Sequence, residues 1–390
     1  MHVVFLAPDI DLSGYTGDVW HVKDLTLAFA RAGCVVDLVV ANPAAWFGGP
    51  NVRMSPTPRG SFLAAARTLK TRFLDDPPDV LYERRGSPKL SATLGHLLHR
   101  PYFVEINGLV EEEKQMQGRP EAGPGWLLQI KRSARGRLFR SSAGIVAVTN
   151  GLKDALIEMH RIPPALIRVI PNGVDIDVFR PMPVAEAREV LSVPRDAAVA
   201  VFVGNLVAWQ GVSTLLEAAS IARRDLPGLR LYIVGDGIER KALEAMALQL
   251  GLGDSVRFLG RVPRDEVPRW IAAADVGVLP STLRRNLRIG SSALKLREYL
   301  ACGRPAIATN LEGAGPMLEA AGVGVGVRGD DAPDLGRALV SLLNDPSRRA
   351  DMGRKAREFA ERELSWNRVA GRVLELFREV LAHESGSVTR

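Results

Sequence analysis

Ser291, Lys295, Glu298 and Cys302 recur at i, i+4, i+7 and i+11, so a helix through them would carry all four on one face. Ala293, Leu296 and Leu300 then fall on a buried side. Ser291 and Ser292 read as the start of that helix, and Gly303 with Pro305 as its stop. Arg284, Arg285 and Arg288 stand just upstream, and no acid intervenes between Asp275 and Glu298. Free amide groups, a cation and a carboxylate on a single stripe suit an anion, above all a phosphate. The competing reading is a solvated surface helix whose Lys295–Glu298 pair contributes roughly 0.2–0.5 kcal/mol.

A chain of 390 residues exceeds what one hydrophobic core usually organises, so two domains are expected. With 46% hydrophobic and 24% charged residues, the composition is that of a soluble globular protein. No apolar run approaches the ~20 residues that cross a bilayer. Met1 to Asp9 reads as a first strand and not as a signal peptide. Cys34 and Cys302 stand apart with no metal-binding spacing, which fits a reducing cytoplasm. The net charge of +7 is mostly interleaved with acids. One exception is Lys131, Arg132, Arg135, Arg137 and Arg140, set among Trp126, Leu127, Leu128, Ile130, Leu138 and Phe139. Such a basic amphipathic segment over 126–140 could rest peripherally on the inner, anionic face of a membrane. The alternative is a helix on its own sheet with its basic face in water. Nucleic acid is not an expected partner, since no binding module is recognisable.

The elements needed to position these residues follow in order. Val3–Ala7 reads as a buried strand, residues 8–17 as a glycine-bearing loop, 19–29 as a helix and Val35–Val40 as a second strand. This is a βαβ unit with parallel strands. The loop is not GxGxxG and Asn42 ends the second strand where an acid would hold a ribose, so NAD-type binding has little support. Further strands are expected at 80–82, 102–106, 144–148 and 167–170. Arg180–Pro183 breaks the pattern and reads as a linker. The alternation then restarts, with strands at 198–204, 229–235, 256–260, 276–279, 306–309 and 323–327. The fold class is therefore α/β, with two doubly wound parallel-sheet domains over 1–180 and 184–365. Residues 366–390 form a C-terminal helix expected to pack back on the first domain. A ligand site is expected at the carboxyl ends of the strands, in a cleft between the domains.

Several fragments resemble one family. The stretch from Val169 to Phe179, with Pro171-Asn172-Gly173-Val174-Asp175, is similar to the IPNGVD-x-x-x-F segment of glycosyltransferase family 4. Phe202 to Val212, Val234 to Gly237, Val256 to Gly260 and Ala273 to Pro280 resemble later landmarks of its second domain. Ser292-Ala293-Leu294-Lys295 through Glu298-Tyr299 to Gly303 resembles its SPLK-x-x-EYMA-x-G segment. Tyr82-Glu83-Arg84-Arg85 and Glu105-Ile106-Asn107-Gly108, followed by Glu111 to Glu113, resemble a subgroup with YER and EVN segments.

The resemblance implies a GT-B fold of two Rossmann-like domains and a retaining, metal-independent sugar transfer from a nucleotide-diphospho sugar to an acceptor hydroxyl. No cofactor is implied beyond that co-substrate. Glu298 would hold the donor ribose, and the amides around Ser291, Ser292, Ala293 and Leu294 the diphosphate. Lys295 would neutralise the departing diphosphate. Gly14 and Gly17 would let the backbone approach the donor, as Gly204 and Gly235 would in the second domain. Four positions depart from the family pattern. Gly290 replaces an acid on the sugar side. Asn205 and Gln210 replace a basic pair, which shifts cationic work to Lys295 and to Arg288 or Arg284. Asn107, assigned to catalysis, stands where many members carry a histidine. Glu83, Arg84, Glu105 and His21 lie where an acceptor would enter, and Arg84 would suit an anionic, lipid-linked phosphate. Asp9-Ile10-Asp11 and Asp175-Ile176-Asp177 fit a metal-binding DxD, but no metal is expected. An epimerase or hydrolase on this fold, or a non-catalytic nucleotide-sugar binder, are the alternatives.

Overall fold

The computed structural model describes residues 1–14, 16–44, 47–84, 86–109 and 124–387. Arg85 and Glu111 to Glu113 lie outside them, as does the side chain of Arg285. The chain divides into two compact units, one of Met1–Gly173 with the chain from Trp366 onward, the other of Val174–Ser365.

The first unit is built on a seven-stranded sheet: β1 (His2–Asp11), β2 (Val35–Asn42), β3 (Val52–Pro56), β4 (Val80–Arg84), β5 (Tyr102–Ile106), β6 (Gly144–Ala147) and β7 (Ile167–Val169). The order is β3-β2-β1-β4-β5-β6-β7, and every pairing is parallel. Val3, Val4, Phe5, Leu6 and Ala7 have no exposed surface, as a parallel strand covered on both faces requires. The sequence did not announce β3. Its Val-Arg-Met-Ser-Pro alternation lies at the sheet edge, where a proline is tolerated and burial is one-sided.

The C-terminal helix Trp366–Ser387 belongs to this unit. Its Phe377 is fully buried, with ring centroids 4.5 Å from Phe103, 5.5 Å from Tyr82 and 6.1 Å from Phe29. These three come from β5, β4 and the helix Gly17–Arg31, so one side chain joins the ends of the sequence.

The second unit holds a six-stranded parallel sheet: β8 (Ala198–Val203), β9 (Leu229–Val234), β10 (Val256–Gly260), β11 (Val276–Leu279), β12 (Ala306–Thr309) and β13 (Gly324–Val327). The order is β10-β9-β8-β11-β12-β13. The unit boundary falls at Gly173, upstream of the break expected at Arg180–Pro183. Val174 forms a bridge with Ser365, and Phe179 is buried in the second core. Arg357 donates to the carbonyls of Ile176, Phe179 and Ala301, which fastens 174–179 to the second unit. The break in regular structure at the prolines therefore lies within the second unit. Gly322 to Gly326, rich in glycine, enters β13 as a strand and not as a phosphate loop. Among the described residues no helix is long and apolar enough to cross a membrane.

In each sheet the strand order reverses at one place, between β1 and β4 and between β8 and β11. Such reversals open a crevice at the carboxyl ends of the strands. Replacing Phe377 with Ala is expected to destabilise the protein by about 3–5 kcal/mol, read as a lower midpoint in urea. An unchanged midpoint would show that the C-terminal helix is dispensable to the first unit.

Candidate functional site

The helix expected from Ser291 runs from Leu294 to Ala301. Its N-terminal flank is Ala293, without a side-chain cap, so the serines do not start the helix as expected. Ser291 and Ser292 belong instead to an extended approach, half-buried like Ala293 and Leu294. The helix is fixed by Tyr299, which has no exposed surface. The Tyr299 hydroxyl accepts the N–H of Val203 at 2.9 Å and donates to the Val278 carbonyl at 3.4 Å. Val203 ends β8 and Val278 is the penultimate residue of β11, the strands on either side of the reversal. Gly277 makes room, because a Cβ there would collide with the Tyr299 ring.

That anchorage sets the lysine. Lys295 is only 9% exposed. Its Nζ lies 4.1 Å over the Phe202 ring and donates to Gln210 Oε1 at 2.7 Å. It is not the solvated half of a surface pair. Burial pushes its amine down to about 7, a shift the Glu298 charge opposes. Gly204 has φ +141°, and a Cβ there would collide with Lys295 Nζ. Gly235, at φ +136°, backs onto the Gly204 carbonyl in the same way. The two glycines thus bring the turns after β8 and β9 together around the amine, with the Gly204 N–H donating to Val234 O at 2.8 Å.

The remaining positions divide clearly. Glu298 is half-buried on the helix, while Asn205, Arg284 and Arg288 are exposed. Gln210 closes a short turn ahead of the helix Val212–Ala222 and spends its acceptor on Lys295. Cys302 is fully buried, and burial drives its thiol far up. It belongs to the core and not to the stripe predicted for it, because the chain turns at Gly303 and folds the helix end inward. Sequence reasoning missed Arg297. It is 1% exposed, donates to Ala293 O at 3.0 Å, and burial lowers it to about 10. An arginine between two core positions, Leu296 and Leu300, was the available signal.

The first unit gathers a second polar cluster at the carboxyl ends of β4 and β5. Glu105, 2% exposed, is 2.6 Å from His21 Nε2. It accepts from the Tyr82 hydroxyl at 2.7 Å and from Asn107 Nδ2 at 2.5 Å. Arg84 donates to Asp18 at 2.7 Å and approaches Glu105 to 4.0 Å. Burial would raise the Glu105 carboxyl, but His21, Arg84 and Asn107 more than offset it and hold it at about 2. It is a fixed charge, not a proton acceptor. Trp366 stacks edge-on against His21, at 4.8 Å between centroids. Glu83 has no exposed surface and accepts the Ser91 N–H at 2.7 Å, in the first turn of the helix Lys89–Leu98. Glu83, Glu105 and His21, expected at an acceptor entrance, are thus interior groups. Arg84 and Asn107 keep accessible surface.

Gly14 is half-buried after β1, and a Cβ there would come within 3.2 Å of Asp11 O. Gly17 begins the following helix. One aspartate of each DxD is engaged in local hydrogen bonds. Asp11 accepts from Ser13 and Asn42, and Asp175 accepts from the N–H groups of Asp177 and Val178.

Comparison with known proteins bears on both units. A family model described as Glycosyltransferase Family 4 matches residues 15–178, and one described as Glycosyl transferases group 1 matches 184–359. A D-inositol 3-phosphate glycosyltransferase of Thermobispora bispora is 35% identical over 245 residues, 60% of this chain and 56% of the relative. The chain therefore spans just over half the length of that curated relative. A GDP-mannose-dependent alpha-(1-6)-phosphatidylinositol monomannoside mannosyltransferase of Mycolicibacterium smegmatis is 32% identical, over 65% of this chain and 66% of its own. The crystal structure of Anabaena Alr3699/HepE in complex with UDP matches with a TM-score of 0.75 at 18% identity, covering 97% of this chain and 100% of the other. That likeness shows the fold, two Rossmann-like units of the GT-B class.

The buried amine gives a pH signature. Between pH about 7 and 10.5 the unfolded chain holds a proton on Lys295 that the folded chain lacks. The Lys295 contribution to stability therefore rises with pH across that window and is flat below it. A Lys295→Met variant lacks this slope, so its stability gap to the native protein should close between pH 7 and 9.5, by no more than ~1.4 kcal/mol per unit. A gap independent of pH, measured by urea unfolding, would show that the amine is not desolvated.

Proposed function

Because this chain belongs to glycosyltransferase family 4, we propose that its second unit binds a nucleotide-diphospho sugar and that the protein transfers the sugar to an acceptor hydroxyl. The observation that carries this reading is the placement of Lys295. A desolvated amine beside Gly204, at the strand reversal, is costly unless a ligand supplies negative charge. A diphosphate arriving at the amides of Ser292 and Ala293 would favour the charged amine and draw a proton onto Nζ. Glu298, on the same helix, would accept from the ribose hydroxyls.

We assign the chemistry as retaining and independent of metal. As the bond from sugar to diphosphate breaks, negative charge grows on the departing oxygen, and the Lys295 ammonium stabilises it in place of a divalent ion. The same oxygen takes the proton of the attacking acceptor hydroxyl, so substitution occurs on the face that the leaving group vacates. Within the first unit's polar cluster Asn107 and Arg84 keep surface to offer an acceptor, and Arg84 suits a phosphate. A lipid-linked acceptor is consistent with this, one relative being named for phosphatidylinositol monomannoside.

The helix Gly125–Arg140 supports a peripheral position on the cytoplasmic face of a membrane. Trp126 and Ile130 are 67% and 53% exposed, alongside exposed Lys131, Arg132, Arg137 and Arg140. Apolar anchors flanked by cations match an anionic lipid surface. Vesicles containing phosphatidylserine should retain the protein in a sedimentation assay, and a Trp126→Ser, Ile130→Ser variant should be released. Equal retention by neutral phosphatidylcholine would refute an electrostatic contact.

The test of the main reading is incubation with UDP-, GDP-, ADP- and TDP-sugars, with and without acceptor and EDTA. Nucleotide released only with acceptor, and unaffected by EDTA, is the expected result. Hydrolysis or epimerisation without acceptor would favour the alternative enzyme class. Glu298→Ala should weaken binding of the matching nucleoside diphosphate by about 1.5–3 kcal/mol in calorimetry. Unchanged binding would remove Glu298 from the site.

A further inference from the structure

The turn just ahead of the Leu294–Ala301 helix is locked to the turn that follows β12. Ser291 N–H donates to the Glu312 carbonyl at 2.8 Å. A Cβ on Gly313 would collide with the Ser291 carbonyl, so the two backbones touch. Gly290 has φ +69°, and a Cβ built on it would lie 3.1 Å from the Cβ, the carbonyl oxygen and Oε2 of Glu312. The space a side chain at 290 would enter is therefore filled by the Glu312 side chain, and glycine at 290 is what admits it. Glu312 is exposed. Apart from Glu298 it is the first acid after Asp275 in a stretch containing Arg284, Arg288 and Lys295.

We propose that Glu312 is the carboxylate that accepts hydrogen bonds from the hydroxyls of the donor's sugar. The inference rests on reading the second unit as a nucleotide-sugar site, and it follows from the linear order of such a donor. Ribose, diphosphate and sugar are joined in series. With the ribose at Glu298 and the diphosphate at Ser292 and Ala293, the sugar continues toward Gly290 and Ser291. Glu312 is the acid there. A carboxylate has acceptor capacity for two neighbouring hydroxyls and nothing to donate, which suits a polyol edge. Its backbone is held by Ser291, which fixes the point from which the side chain reaches beside Gly290. Among donors of one nucleotide, Glu312 selects the sugar.

Glu312→Ala and Glu312→Gln keep the backbone carbonyl on which the two turns depend, so both variants should fold. Binding of UDP, GDP and ADP is measured first, then kinetics with UDP-glucose, GDP-mannose and ADP-glucose, and with singly deoxygenated forms of whichever sugar the native protein uses. Both variants should bind the bare nucleoside diphosphate within about twofold of native, while kcat/KM for the nucleotide sugar falls about tenfold or more. One deoxy-sugar should be penalised about tenfold in the native protein and not further in Glu312→Ala, the coupling expected of direct contact. Equal losses with nucleoside diphosphate and nucleotide sugar would overturn the inference, as would deoxy-sugar penalties unchanged by the substitution. Native protein that binds none of the nucleotides would overturn the transferase reading and this inference together. Normal nucleotide binding with unaltered sugar discrimination in Glu312→Ala would overturn this inference alone.

Discussion

The hydrogen bond between the Val203 N–H and the Tyr299 hydroxyl holds the second unit's site in register. It takes a backbone donor at the end of β8 and pairs it with a side chain from the Leu294–Ala301 helix. With the ring fixed against Gly277, the helix cannot roll, and Lys295 on its adjacent face has one place to go. That place lies over Phe202 and against Gly204, out of water. A lysine on a free helix would extend into solvent and keep its ordinary amine. Here the packing of a neighbouring aromatic residue forces desolvation, and desolvation is what makes the amine responsive to an anion.

The two polar clusters show opposite solutions to burying charge. In the first unit, Glu105 is enclosed by His21, Tyr82, Asn107 and Arg84, so its charge is matched before any ligand arrives. Such a network is stable and specifies geometry, but it has little left to give. In the second unit Lys295 donates to the Gln210 amide oxygen, and the Glu298 charge only partly opposes the effect of its burial. The first cluster is suited to holding Asn107 and Arg84 in position. The second is suited to binding.

The departures at Asn205 and Gln210 have a local consequence. Gln210 adds no charge but holds the Lys295 amine through its oxygen, so the ionisable part of the site is concentrated in one group. Asn205 is exposed. Gly290 is not an empty position either, since its φ and the contact with Glu312 demand glycine. A sequence comparison by position records these as three losses. The folded chain shows that one holds the lysine, one stands exposed, and one makes room.

Much was legible without coordinates. Continuous apolar runs between glycine-bearing turns gave both parallel sheets, because strands covered on two faces have no polar side to alternate. The helix 294–301, its lysine and its glutamate were also visible, since helical spacing alone puts Lys295 and Glu298 on neighbouring turns. The edge strand β3 was missed because one-sided burial leaves a weak pattern. The boundary at Gly173 and the inward turn of Cys302 were hidden because both depend on partners far away in sequence, Ser365 and Arg357 among them. Burial of Glu83 and Glu105 was likewise invisible, since a charged residue announces its type but not its partners. Sequence by itself determined which groups are present and on which helix or strand each lies. Tertiary structure alone decided which are dry, which are paired and which share a wall, because solvation and contact are properties of residues brought together and not of neighbours along the chain.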